Sequence, residues 1–178
     1  MSTMMPDEIA EVLFSEDDIR ARIRALAKQI SEDYNGRQLV FVPVLRGSVF
    51  FATDLARLIE LPLSMDFLSI SSYGDDSEGV VRITKDLEEN IAGKDALVIE
   101  DIVDTGFTLK YLLRTLGGRN PKSIEVCTLL DRRARRIIDI DLKYIGFEIP
   151  DKFVIGYGLD FNDEYRHLPF IGVLPSGE

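Results

Sequence analysis

The 178-residue sequence predicts an α/β fold with a mainly parallel central sheet flanked by helices. Three observations lead there. Short β-rich runs alternate with helical segments along most of the chain, the pattern of parallel strands joined by helical crossovers. One run, "DALVIED" (95–101), is continuously apolar, as strands buried on both faces of such a sheet are. The length suits one unit with a sizeable core.

The elements follow in order. The start, "MSTMMPDEIAEVLF", lacks the basic flank and long apolar run of a signal peptide. No apolar run is long enough to span a bilayer, so the expectation is a cytoplasmic protein with no membrane partner. "FSEDDIRARIRALAKQISEDY" (14–34) reads as a helix. Ser15 followed by Asp18 forms a capping-box pattern, acids fill the first turn, and Ile19, Ile23, Leu26, Ala27 and Ile30 recur at helical spacing. "QLVFVPVL" (38–45) is a strand, "GSVFFATDLARLIE" (47–60) a helix after a glycine turn, and "LPLSMDFLSIS" (61–71) another strand. "SYGDDSEGVVRITKD" (72–86), polar and then alternating, reads as an exposed loop or hairpin. "DALVIED" is followed by a helix, "GFTLKYLLRTLGG" (106–118), with a glycine stop, and then by the strand "SIEVCTLL" (123–130). After "RRARR" (132–136) come three short β-like pieces, "LKYIGFEIP", "KFVIGYGLD" and "LPFIGVL".

Composition narrows the function. The net charge is 21 − 31 = −10, which argues against unspecific nucleic-acid binding or docking on an anionic membrane. A local basic pocket for a small anion remains compatible with it. The single cysteine, Cys127, rules out a disulfide within the chain and a cysteine-built zinc site; in "EVCTLL" it reads as a small core residue. No G-x-G-x-x-G follows the first strand, which discounts a nucleotide-binding dehydrogenase.

The informative stretch is "VIEDIVDTGFTL" (98–109). A buried strand ends at Glu100 and Asp101, in the region where parallel α/β sheets bind ligands. Gly106 permits a tight turn. Thr105, Gly106, Phe107 and Thr108 then offer amides and two hydroxyls at a helix N-terminus, a phosphate cradle. Glu100 and Asp101 are placed to accept from sugar hydroxyls or to reach a magnesium ion, and Asp104, on the turn, to take a proton. A sugar phosphate satisfies all of these at once.

The whole string resembles the 5-phosphoribosyl-1-pyrophosphate (PRPP) motif of the type I phosphoribosyltransferases. "VPVLRGSVFFATDL", "SSYG", "IGFEIPDKFVIGYGLDF" and "EYRHLPFIGVL" extend the resemblance, from about Gln38 to Leu174, to the hypoxanthine–guanine phosphoribosyltransferase family. That family transfers ribose 5-phosphate from PRPP to a 6-oxopurine and releases pyrophosphate, with Mg2+ as cofactor. The resemblance implies a single domain over 1–178, with a small hood formed by the N- and C-terminal segments. It implies PRPP, hypoxanthine or guanine, IMP or GMP and pyrophosphate as ligands, no nucleic-acid partner, and a homodimer or homotetramer.

Residue roles are implied position by position. Glu100 and Asp101 fall on the ribose hydroxyls, Asp104 beside purine N7 as proton acceptor, and Thr105, Gly106, Phe107 and Thr108 on the 5-phosphate. Arg46 and Gly47 of "LRGS" match the pyrophosphate loop, where the preceding peptide is often cis, and Arg166 matches a further pyrophosphate contact. Ser72 and Tyr73 match the tip of a mobile loop expected to close over bound substrate. Phe153 would stack on the purine, and Val154 would pair with the base edge through its main chain. Asp160 would place the purine 2-position and join Glu100 and Asp101 in holding magnesium.

One position departs from the family. After "TLLD" a lysine usually donates to purine O6; here the residue is Arg132. Arginine still donates, but its planar fork is not interchangeable with a point charge. This opens a rival reading, a transferase preferring xanthine or another base. A second rival is a non-catalytic PRPP- or nucleotide-sensing regulator, against which the acids at 100, 101 and 104 speak. The run Arg132–Arg136 reads equally as a solvated turn or as a functional cluster, with Arg136 at a basic family position near the pyrophosphate and subunit contact.

Overall fold

A computed structural model describes residues 9–73 and 80–175. Among these, seven strands form one sheet, in the order β5-β4-β2-β6-β7-β8 with β3 beside β2. They are β2 (Leu39–Leu45), β3 (Leu63–Met65), β4 (Leu68–Tyr73), β5 (Val80–Lys85), β6 (Asp95–Val103), β7 (Ser123–Asp131) and β8 (Tyr144–Glu148). Every pairing is parallel except the β4–β5 hairpin. At the centre Val42 lies opposite Val98, and Ile99 opposite Cys127.

Helices cover both faces. Helix α1 (Glu16–Asp33) begins with the reciprocal Ser15–Asp18 capping box and buries Ile19, Ile23, Leu26, Ala27 and Ile30. With α2 (Val49–Leu58) it packs on Leu39, Phe41, Leu97, Ile99, Cys127 and Leu129. The intervening strand residues Val40, Val42, Val98 and Val126 face the other way, onto Leu109, Leu112 and Leu116 of α3 (Phe107–Gly117). The two-residue period of the strands thus divides one apolar sheet between two cores.

Two segments differ from the sequence reading. "LPLSMDFLSIS" is two strands, β3 and β4, which pair in turn with the same edge of β2. The chain breaks at Asp66, whose amide donates to the Phe41 carbonyl and whose carboxylate accepts the Glu88 and Glu89 amides at 2.6 and 2.8 Å. Glu11, Val12 and Leu13, given no structure from sequence, and Phe14, read as the start of the helix, form β1 (Glu11–Phe14), which pairs antiparallel with β10 (Ile171–Val173); β10 pairs in turn with β9 (Val154–Ile155). This second, three-stranded sheet joins the two ends of the described chain beside the main one. Phe14 stacks on Phe147 at 4.0 Å, and the Tyr157 hydroxyl donates to Asp54 of α2 at 2.6 Å.

Candidate active site

A cleft of about 600 Å³ opens over the C-terminal ends of β2 and β6 and the start of β4. Ten predicted residues line it: Arg46, Gly47, Glu100, Asp101, Asp104, Thr105, Gly106, Thr108, Asp160 and Arg166. Ser69 and Ile70 of β4 also line it, which sequence reasoning did not anticipate. Phe107, the half-exposed first residue of α3, is outside the lining, as are Arg132, Phe153 and Val154. Ser72 and Tyr73, expected at a loop tip, instead close β4, and the rest of the expected loop, 74–79, lies outside the described residues.

Three backbone segments meet at the cleft floor because two glycines allow it. A Cβ on Gly47 would lie 1.5 Å from Asp101 Oδ2. One on Gly158, at φ +104°, would lie 1.9 Å from the Gly47 carbonyl oxygen. No side chain fits at either position. The Leu45–Arg46 peptide is cis. Gly106, at φ +90°, takes the left-handed conformation that turns the chain from β6 into α3.

The floor is acidic. Burial, and then the neighbouring Asp101 charge, push the Glu100 carboxyl well above the usual carboxylate range. Burial also raises Asp101, against a 2.8 Å hydrogen bond from the Ile102 amide. Asp160 is held at 2.6 Å by Arg166, which also donates to the Gly158 carbonyl at 2.7 Å. Among the described residues no three acidic, histidine or cysteine side chains converge as a metal cage; Asp160 is turned to Arg166 instead.

Asp163, absent from the sequence reading, sits between two of the predicted cations. It binds Arg46 at 2.6 Å and Arg166 at 3.3 Å, while its amide donates to Asp160 at 2.9 Å. Asn162 and Asp163 both have positive φ, 53° and 65°, a conformation these two residue types tolerate best. That tolerance was the only trace of this arrangement in the sequence.

A second cluster is built on Asp104. Its Oδ2 accepts from Arg132 Nη1 at 3.2 Å, and Arg132 Nη2 donates to the Lys152 carbonyl at 2.8 Å. Asp104 Oδ1 and Arg132 Nε are buried with no partner among the described residues. Phe153 is half exposed and meets Phe161 edge-on at 5.7 Å, while Val154 is buried in β9. The arginine run is therefore not a uniformly solvated turn. Arg133 and Arg135 are exposed on a short 3₁₀ turn, but Arg132 is buried and Arg136 points inward, pairing with the buried Asp131.

An acid pair at a strand end, a glycine turn opening a helix and two cations across the cleft are the parts of a phosphoribosyl-transferring site. The chain belongs to the phosphoribosyl transferase domain family, which it matches over residues 13–162. It is 46% identical over 179 residues to a hypoxanthine-guanine phosphoribosyltransferase of Mycobacterium avium, covering 96% of this chain and 88% of that one. It is 48% identical over 166 residues to a hypoxanthine phosphoribosyltransferase of Salmonella typhimurium, covering 91% and 93%. A crystal structure of a hypoxanthine phosphoribosyltransferase from Staphylococcus aureus superposes with a TM-score of 0.94 at 46% identity, covering 98% and 96%.

Proposed function

We propose that the protein is an enzyme of purine salvage that transfers the 5-phosphoribosyl group of PRPP to hypoxanthine or guanine, giving IMP or GMP and pyrophosphate. The single observation that carries this reading is the pair of buried, unpartnered atoms on two joined side chains: an acceptor, Asp104 Oδ1, and a donor, Arg132 Nε. A 6-oxopurine presents the complement along one edge, an N7 proton and the O6 oxygen. Leaving such groups buried and unpaired is costly, so the pair supports a ligand that satisfies both.

The remaining roles are those the family resemblance implies. The amides and hydroxyls of Thr105–Thr108 take the 5-phosphate at the start of α3. Glu100 and Asp101 take the ribose hydroxyls. Arg46, Gly47 and Arg166 receive the pyrophosphate, Arg46 through its main chain. Phe153 covers the purine face, with Val154 and Asp160 along its edge. Asp104 accepts the N7 proton as the purine attacks C1 of the ribose, which makes the base a better nucleophile. Ser72 and Tyr73 border the loop that closes over the reacting sugar.

Two buried carboxyls, Glu100 and Asp101, form no ion pair among the described residues, although the Arg166 charge draws Asp101 down, a donor set that fits a hard divalent ion. Glu100, Asp101 and, once released from Arg166, Asp160 would hold Mg2+. When bound, the ion neutralises the diphosphate so that an acidic cleft accepts a polyanion. The whole chain, 1–178, acts as one domain whose second sheet serves as a hood. The half-exposed Phe50 and Leu58 on α2 are apolar surface of the kind a subunit contact covers, in keeping with a homodimer or homotetramer. Among the described residues no helix is long and apolar enough to cross a membrane, in keeping with a cytoplasmic location.

Pyrophosphate release from PRPP and magnesium with hypoxanthine tests the proposal. Asp104→Asn should lower kcat by about 10²-fold or more while the protein stays folded. Release at the unmodified rate by that variant would refute the role of Asp104.

A further inference from the structure

We propose that segment 132–138 is a strap that presets the phosphate-gripping turn, with Arg136 as its positioning residue. The inference deepens the function proposed above and rests on it for the identity of the ligand. Its basis is the set of partners of three consecutive carbonyls. The Val103 carbonyl accepts from the Arg132 amide at 3.0 Å and from Arg136 Nη2 at 3.4 Å. The Asp104 carbonyl accepts from Arg136 Nε at 2.9 Å. The Thr105 carbonyl accepts from the Ile137 and Ile138 amides, both at 3.0 Å.

A trans peptide sets its C=O and N–H on opposite sides. With these three carbonyls fastened to the strap, the amides of Asp104, Thr105 and Gly106 are turned away from it. Among the described residues the Thr105 and Gly106 amides have no protein partner, and both residues line the cleft. The strap therefore leaves unpaired the donors that a phosphate needs. It also approaches closely: a Cβ on Gly106 would lie 3.0 Å from the Ile138 carbonyl oxygen. Such prior orientation places the reacting groups before the ligand arrives, and a misplacement of about 1 Å can cost on the order of 10²-fold in rate.

Arg136 is the member of the strap that a substitution can test. Its guanidinium bridges two adjacent carbonyls, and the buried Asp131 pairs with it from behind. A planar fork makes these contacts together, and an ammonium does not. Lysine would keep the charge pair with Asp131 and so preserve the fold, yet lose the two-carbonyl bridge. Arg136→Lys thus separates positioning from stability where Arg136→Gln fails to fold.

Amide hydrogen exchange on the ligand-free protein, with steady-state kinetics on the same samples, tests the proposal. In both variants exchange at Arg132, Ile137 and Ile138, whose amides bond the Val103 and Thr105 carbonyls, should quicken by about tenfold, the scale of losing one or two hydrogen bonds, while α1 keeps its protection. KM for PRPP should rise by about tenfold or more, and KM for hypoxanthine should move by less than about twofold. Unchanged exchange at Ile137 and Ile138 in Arg136→Lys would overturn the proposal. So would exchange that quickens uniformly over the molecule, since Arg136 would then be merely structural. The exchange measurement needs no substrate, so a wild type without transferase activity would refute the proposed function separately from the strap.

Discussion

Asp104 and Arg132 spend one hydrogen bond on each other, and each keeps one buried polar atom unpaired. Arg132 is anchored a second time, on the Lys152 carbonyl, so its fork is fixed before any base arrives. In Arg132→Lys the ammonium can still donate to O6, and 6-oxopurine transfer should persist with KM for the base changed by less than about tenfold, since one planar contact is exchanged for one point charge. Steady-state kinetics with hypoxanthine and guanine check this. Asp163 invites a second prediction. It occupies the Arg166 guanidinium, assigned above to the pyrophosphate, through a 3.3 Å contact whose acid is exposed, and such pairs contribute about 0.2–1 kcal/mol. Asp163→Asn should therefore tighten pyrophosphate inhibition by no more than about fivefold, and high salt should erase the difference. At this scale the acids, the turn and the departure at Arg132 were legible, because they lie within short quoted strings. Asp163 was not, because its partner Arg46 is 117 residues away and nothing local to either announces the contact.

The elements that place these residues depend on local chemistry of ordinary size. Ser15→Ala removes the reciprocal cap of α1, at a cost of about 1 kcal/mol, and should lower Tm by about 2–4 °C with KM for PRPP unchanged. Calorimetry beside a kinetic assay separates the two effects. Helix α1 and the buried strands β2, β6 and β7 were readable because cap, period and continuous apolarity agree in each. The division of 61–71 into β3 and β4 was not, because it follows from Asp66 accepting amides twenty-two and twenty-three residues away. Strand β1 was equally hidden. Four residues carry too little pattern, and their pairing partner, β10, lies at the other end of the chain.

For the whole molecule, the cleft is a place where stability and function oppose one another. Glu100 is raised in the folded state, so above the ordinary carboxylate range the folded protein keeps a proton that the unfolded chain has released. The contribution of this group to stability is fully present below the ordinary carboxylate range and is lost as pH rises through the folded value. In metal-free protein, Glu100→Gln should raise Tm by a few degrees near neutral pH, and the gain should vanish at about pH 4, where the native carboxyl is also neutral. Thermal melts across pH, in the presence of a chelator, decide it. In the proposed function, the same desolvated acid that destabilises the empty protein would serve a magnesium-bound diphosphorylated sugar.

The central claim is that the Asp104–Arg132 pair reads the N7–O6 edge of a 6-oxopurine against PRPP held at the end of β6. The most direct measurement is pyrophosphate release by the purified protein with PRPP, magnesium and, in separate reactions, hypoxanthine, guanine, xanthine or adenine. Hypoxanthine and guanine should be turned over. Adenine, whose 6-amino group faces a donor, should react at least about 10²-fold more slowly in kcat/KM. Turnover of adenine at a comparable rate, or none with either hypoxanthine or guanine, would contradict the account.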